Sequence, residues 1–578
     1  MIKQSSLIIE KSKDNYDIAK IKINNKWIYI GSKYNVKYDI DKFLYNFKDK
    51  KDDKKYKFIV FGFGSGEHIK ELRKKFKKSY IAVFEPNPDI FEYAENCSFV
   101  KDDNKIVLYK CIEDNIKEFC KSEFFDEFSI KSIKIFDFSI YCKLYNLVFI
   151  KVITKIRDNI TNCIAFSNTK RNFSERFFTA IMKNIPYICE SSLFSDYINL
   201  YKNKPAIIVS AGPSLDKNVD LLKGIEKNFV IITGGRPLKG LVDKKIEPSL
   251  VVSVDSEDIN YELMKGCIEN TELPLLYFEI TNENILHNYS GPKIISPNAS
   301  FIKKLINKET ITLDAHGSVA HSMVSAAVYM GCDPIILIGQ DCAYTDDSAH
   351  SKYLEDRHDD EKFDDVKSEL DIWVDGIDGK KVRTSRVLNV YRLGFEQMIN
   401  KYKDIKFINA TEGGARINGA IEMKLQDAIK KYGNSKVEKI PVMNIDYTFK
   451  KRALEKLMES QKGITDIRKI CKSAKEKVKK INKNSLDYEW SKLIEELNEI
   501  DKDILEKVKQ CDLIHLLLYP TIYKIMTNEN FEFEEDIEKV KELIIEEGKV
   551  LYGELIEIID KSSILIEDTI NSIKMKEE

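Results

Sequence analysis

The chain has 578 residues, 43% of them hydrophobic and 32% charged, and its 92 basic and 93 acidic side chains leave a net charge of −1. That length exceeds what one core can serve and predicts two to four domains of ordinary folded composition; the balanced charge argues against a nucleic-acid partner, which a basic excess would mark. The eleven cysteines include no Cys-x-x-Cys pair, no window reaches the roughly 18 apolar residues of a membrane helix, and the first residues carry no signal core, so a cytoplasmic protein with reduced thiols and no membrane segment is expected.

In chain order, Lys57–Gly62 is a buried-strand run that leads into the turn Gly62-Phe-Gly-Ser-Gly66 and a helical stretch to about Lys78. The next strand, Tyr80–Glu85, ends in a carboxylate 19 residues after the last glycine. Glycines that let a backbone approach a nucleotide, with an acid to accept from ribose hydroxyls, make a nucleotide-binding pattern. It also resembles the first motif of S-adenosylmethionine-dependent methyltransferases. A lone glycine turn is a weak signal, and no catalytic motif follows it here, so residues 1–165 are expected to be a Rossmann-like domain without catalysis. Lys105–Tyr109 continues the alternation.

A helical connection over 166–203 precedes a second α/β series. Lys204–Ser210, Asn228–Thr233, Leu250–Asp255, Pro274–Phe278 and Pro334–Gly339 read as strands, with a helix near 318–330. This spacing predicts a largely parallel sheet with helices on both faces. The first strand opens into Ser210-Ala-Gly-Pro-Ser214, where Gly212 permits a tight turn and Pro213 starts a helix. Ser214 is expected to set its hydroxyl beside unpaired helix N–H groups, an arrangement that favours an anion. Loop signals dominate 342–382, and Trp373 with the following Gly376 and Gly379 suggests a flap. From about 440 the chain turns helical, with apolar stripes at Leu454, Leu457, Ile464, Ile467 and Ile470 and at Leu543, Ile544, Leu551, Leu555 and Ile558. The expected layout is 1–165, 166–439 and 440–578, that is, two Rossmann-like α/β domains followed by an all-α domain.

Lys204–Asn218, Glu247–Asp255, His316–His321, Met330–Tyr344, Ser348–His350 and Asn409–Gly419 resemble, in order, the motifs of the motility accessory factor family of flagellin glycosyltransferases. The resemblance covers residues 204–420 and implies a sialyltransferase-like central domain. It further implies transfer of a nonulosonic acid, of pseudaminic or legionaminic type, from its CMP ester to serine or threonine hydroxyls of flagellin, without a metal or other cofactor. Flagellum assembly and motility would depend on that transfer.

On that resemblance Gly212, Pro213 and Ser214 cradle cytidine or phosphate, with Asn218 a weaker addition. Gly317 and Ser318 open a helix that supplies further N–H groups, and His316 stands beside them at the donor. Asp341, at the end of its strand, belongs to the donor site, and Tyr344 hydrogen-bonds the departing phosphate. His350 is the expected general base for the acceptor hydroxyl; His321 is expected to pack. Asp255 holds either a metal or a ribose. Glu412 and Arg416 flank paired glycines that suggest close approach to a ligand, with Arg416 meeting the sugar carboxylate or forming a structural salt bridge. The C-terminal helices are expected to dock flagellin, although a dimer contact would read the same. Two other functions share features of this sequence: a pterin pyrophosphokinase using ATP and magnesium on Asp255 and Asp341, and a non-catalytic flagellin-binding protein.

Overall fold

The computed structural model describes residues 6–47, 55–345, 351, 372–446, 448–481, 485–510, 512–527 and 537–575. The chain forms two compact units, Met1–Asn172 with Tyr519–Phe533, and Phe173–Leu518 with Glu534–Glu578. Parallel sheets with helices between them build the α/β part of each, and helices fill the C-terminal region.

In the first unit, β1 (Leu7–Lys11), β2 (Asp17–Ile23) and β3 (Lys26–Tyr29) form an antiparallel sheet. A parallel sheet follows, made of β4 (Lys57–Phe61), β5 (Tyr80–Glu85), β6 (Ile106–Lys110) and β7 (Ile133–Asp137) in the order β6-β5-β4-β7. Phe58, Ile59, Val60 and Phe61 are all buried, as expected of a parallel strand covered on both faces.

The second unit is built on a nine-stranded sheet whose pairings are all parallel. Its strands are β8 (Ser192–Leu193), β9 (Ala206–Val209), β10 (Val230–Gly234), β11 (Leu250–Ser253), β12 (Leu275–Tyr277), β13 (Lys293–Ile295) and β14 (Ile335–Ile338). A separate antiparallel hairpin, β15 (Ile372–Asp375) with β16 (Lys381–Thr384), precedes β17 (Phe407–Asn409) and β18 (Ile421–Glu422). The order β18-β17-β14-β9-β10-β11-β12-β13-β8 means that the chain steps outward from β9 through β13 and then returns to the other side of β9. The direction of winding therefore reverses between β9 and β14, and at such a point the turns beyond the strands diverge and leave a crevice.

The helices after 440 do not stand apart from this sheet. On the helix Thr448–Lys480, Ala453, Leu457, Ile464, Ile467, Cys471, Ala474 and Val478 make a buried stripe at helical spacing. Arg452 on its first turns donates to the carbonyls of Leu305 and Ile306 at 2.9 Å each. Arg468 pairs with Asp560 on the helix Ile537–Met575. The helix Thr448–Lys480 thus packs against the α/β layer of its own unit.

Candidate active site

The turn after β9 is pinned to the turn after β14. The Gly212 amide donates to the Gly339 carbonyl at 2.8 Å, and a Cβ on Gly212 would stand 2.4 Å from that oxygen. A Cβ on Gly339 would stand 2.2 Å from the Ser210 carbonyl, so neither position accepts a side chain. Ser214 is fully buried, and its amide donates to Asp341 Oδ2 at 2.8 Å while its hydroxyl donates to Asp341 Oδ1. The hydroxyl and N–H expected to await an anion are thus committed to Asp341, whose pKa burial pushes up and these bonds pull down. The helix that follows, Leu215–Asn218, is a single turn. Asn218 donates to the Ala410 carbonyl at 2.9 Å.

The paired glycines do serve a close approach, but to this chain's own backbone. A Cβ on Gly414 would lie 2.3 Å from the Asp341 carbonyl oxygen, which accepts from the Ala415 amide at 2.8 Å. Glu412 takes a left-handed conformation (φ 60°), and its carbonyl accepts from Lys217 Nζ at 3.0 Å. Arg416 is exposed and unpaired with Glu412; its amide donates to the Asp375 carbonyl at 2.8 Å. The segment expected as a flap is the β15–β16 hairpin. It is tied down by Thr384 Oγ1 to the Cys342 carbonyl at 2.8 Å and by the Tyr344 amide to the Arg383 carbonyl at 3.0 Å. Trp373 on it is 65% exposed. The Tyr344 ring lies under the Arg383 guanidinium, 4.5 Å away.

Beyond the carboxyl ends of β9, β10, β11 and β14 lies a cavity of about 270 Å³. Of the residues expected from sequence, Gly212, Asp255, Ser318 and Asp341 line it. Pro213, Ser214, Asn218, His316, Gly317, Tyr344, Glu412 and Arg416 do not, and His350 lies outside the described residues. Asp255 follows β11, and its pKa is raised by desolvation and by nearby Glu257. Ser318 caps the helix Val319–Tyr329 by accepting from the Ala320 amide at 3.3 Å. His316 stands edge-on to His321, ring centroids 5.5 Å apart. Buried His321 bonds the Tyr391 carbonyl through Nε2 at 2.9 Å, and burial pushes its pKa down to about 4, which leaves it neutral. It thereby fixes the helix Arg386–Lys401, from which Tyr391 faces the cavity.

Sequence reasoning missed the turn after β10. Gly234, Gly235, Arg236 and Pro237 all line the cavity at the start of the helix Gly235–Asp243. The signal was a glycine pair and a proline directly after a strand, the same grammar as Gly212-Pro213. Nothing in the sequence marked Asn260, on the helix Asp258–Met264 just after β11, or Tyr391, which reaches the cavity from a helix far along the chain.

The first unit's glycine turn is filled by its own chain. Glu85 Oε2 accepts from the Phe63 amide and the Tyr141 hydroxyl, each at 2.7 Å, and Oε1 accepts from the Asn87 amide at 2.8 Å. The Tyr141 oxygen in turn accepts from the Gly64 amide at 2.8 Å, and its ring lies where a Cβ on Gly62 would be, 2.3 Å away. The turn amides and the acid that a nucleotide would use are therefore partnered already.

Residues 179–347 match the family model described as 6-hydroxymethylpterin diphosphokinase MptE-like. No curated protein matches the chain. Among solved structures, the MAf glycosyltransferase from Magnetospirillum magneticum AMB-1 superposes with a TM-score of 0.58, covering 99% of this chain and 93% of that one at 13% identity. At that identity the likeness is one of architecture: the chain has the fold of this MAf glycosyltransferase over 99% of its length.

Proposed function

We propose that the chain is a glycosyltransferase that moves a nonulosonic acid from its CMP ester to serine or threonine hydroxyls of flagellin, in the cytoplasm and before export. The observation that carries this is the cavity at the β9/β14 reversal, in a chain with the MAf fold. The helices starting at Gly235 and Val319 both begin at that cavity, and their first N–H groups suit the phosphate that must leave with CMP. Departure of a phosphate needs hydrogen-bond donors and no strong acid. The acceptor hydroxyl loses a proton as it attacks, and His350 is the proposed base. The transfer is proposed to invert the anomeric centre without a metal. The C-terminal helices are the proposed surface for flagellin.

A pterin diphosphokinase is the second candidate, favoured by the family-model match and by two carboxylates, Asp255 and Asp341, on one cavity. Against it, both Asp341 oxygens already accept from Ser214, which competes with a role in holding magnesium. Titration with CMP and with ATP, each with and without magnesium, separates the two. CMP binding that ignores magnesium is expected; magnesium-dependent ATP binding with no response to CMP would overturn the glycosyltransferase.

A further inference from the structure

We propose that Arg236 is the side chain that reads the donor's phosphate, an assignment that rests on the CMP-donor function proposed above. Among the described residues, the guanidinium and carboxyl side chains lining the cavity are those of Arg236, Asp255 and Asp341. A CMP-activated acidic sugar brings a phosphodiester and a carboxylate, both anionic, to a cavity whose other charged groups are acids. Unless a cation stands at the phosphate, the aspartates oppose its entry. Arg236 is the one guanidinium or ammonium that the described lining offers.

Its place in the fold suits a phosphate. Arg236 is the second residue of the helix Gly235–Asp243, within the first turn, where backbone N–H groups have no acceptor inside the helix. Gly234 precedes it in an extended conformation, and a Cβ there would stand 3.3 Å from Val319 Cγ1 on the first residue of the other helix. The two helix starts therefore meet at Gly234, and their positive ends fall beside the same stretch of cavity wall. A Cβ on Gly235 would stand 2.8 Å from the Met264 sulfur, so glycine keeps this backbone close to the wall. A phosphodiester shares one negative charge between two non-bridging oxygens, whose lone pairs can accept from backbone donors of the helix starts and from the forked guanidinium together.

The test is calorimetric titration of full-length wild type, Arg236→Gln and Arg236→Lys with CMP, cytidine and the intact CMP-sugar, with melting curves to confirm that each variant folds. Wild type is expected to prefer CMP to cytidine. Arg236→Gln should weaken CMP by about 10- to 100-fold, the range of a charge-assisted hydrogen bond, and leave cytidine unchanged; Arg236→Lys should recover part of the loss. Equal CMP affinity in Arg236→Gln overturns the assignment and leaves the CMP-donor function standing. Equal losses for CMP and cytidine overturn it too, by showing that Arg236 shapes the cavity. A loss seen with the CMP-sugar and not with CMP overturns it in favour of the sugar carboxylate. If wild type binds neither CMP nor the CMP-sugar, both proposals fall.

Discussion

The two glycine turns of this chain begin alike and end differently. Each follows a buried parallel strand and leads towards a helix. At Gly62–Gly66 the Phe63 and Gly64 amides are taken up by Glu85 and by Tyr141, which lies 77 residues beyond Gly64. At Ser210–Ser214 the Ser214 donors are taken up by Asp341, 127 residues away, yet Ser210, Ala211 and Gly212 still face a cavity. A glycine-rich turn says that something comes close to the backbone. What comes close is decided by residues that local sequence does not show.

The contrast can be broken most severely at Asp341. Asp341→Ala leaves the buried Ser214 amide and hydroxyl without an acceptor, at about 2 kcal/mol each. A loss of about 4 kcal/mol in chemical denaturation is expected, together with loss of CMP binding. A variant as stable as wild type would falsify the view that this clamp holds the turn between β9 and β14.

Glu85 tests the other turn through pH. Burial raises its pKa to about 7, against hydrogen bonds from Phe63, Tyr141 and Asn87 that lower it. The folded state thus keeps a proton that the unfolded chain releases above its ordinary carboxyl value of about 4.3. The stabilisation is complete below that value and is lost as pH rises to about 7, a change of about 3 kcal/mol for a shift of this size. Protection factors against hydrogen exchange at the Phe63 and Gly64 amides should fall across that window in wild type and stay constant in Glu85→Gln. A flat wild-type profile would refute a protonated Glu85. The CMP binding proposed for the other unit should not follow this profile.

The smallest expected effect is at Ser318. Replacing it by Ala removes one cap from an otherwise buried helix and should cost about 1 kcal/mol. Its melting temperature should fall only slightly, and a collapse like that expected for Asp341→Ala would mean that the helix start supports the cavity far more than its single side-chain bond suggests.

Much of the architecture was legible because continuous apolar runs leave little choice. Phe58–Phe61, Ala206–Val209, Leu250–Ser253 and Ile335–Ile338 are buried on both faces, and only a covered parallel sheet accommodates that. Strands β1 to β3 escaped notice because their apolar residues are broken up by lysines or come at most three in a row, although Ile18, Ala19 and Ile21 are buried. The helical region expected from about 440 was legible as a change in composition, whereas the bonds from Arg452 to Leu305 and Ile306 follow only from the folded chain. In the site, Gly212, Asp255, Ser318 and Asp341 were legible because they sit at strand ends and helix starts. Arg236 and Tyr391 were not, since a residue on a helix face reveals its neighbours only once the helix is docked.

By itself the sequence determined the strand-and-helix alternation, the helical C-terminal region and the places where backbone must pass close to something. These follow from hydrophobic period and from glycine, which act over a few residues. Only the tertiary structure decided that winding reverses between β9 and β14, that Tyr141 fills one glycine turn, and that the other borders a cavity with Arg236 on its wall. Those outcomes depend on contacts between residues tens to hundreds of positions apart, and no local pattern encodes which of them will meet.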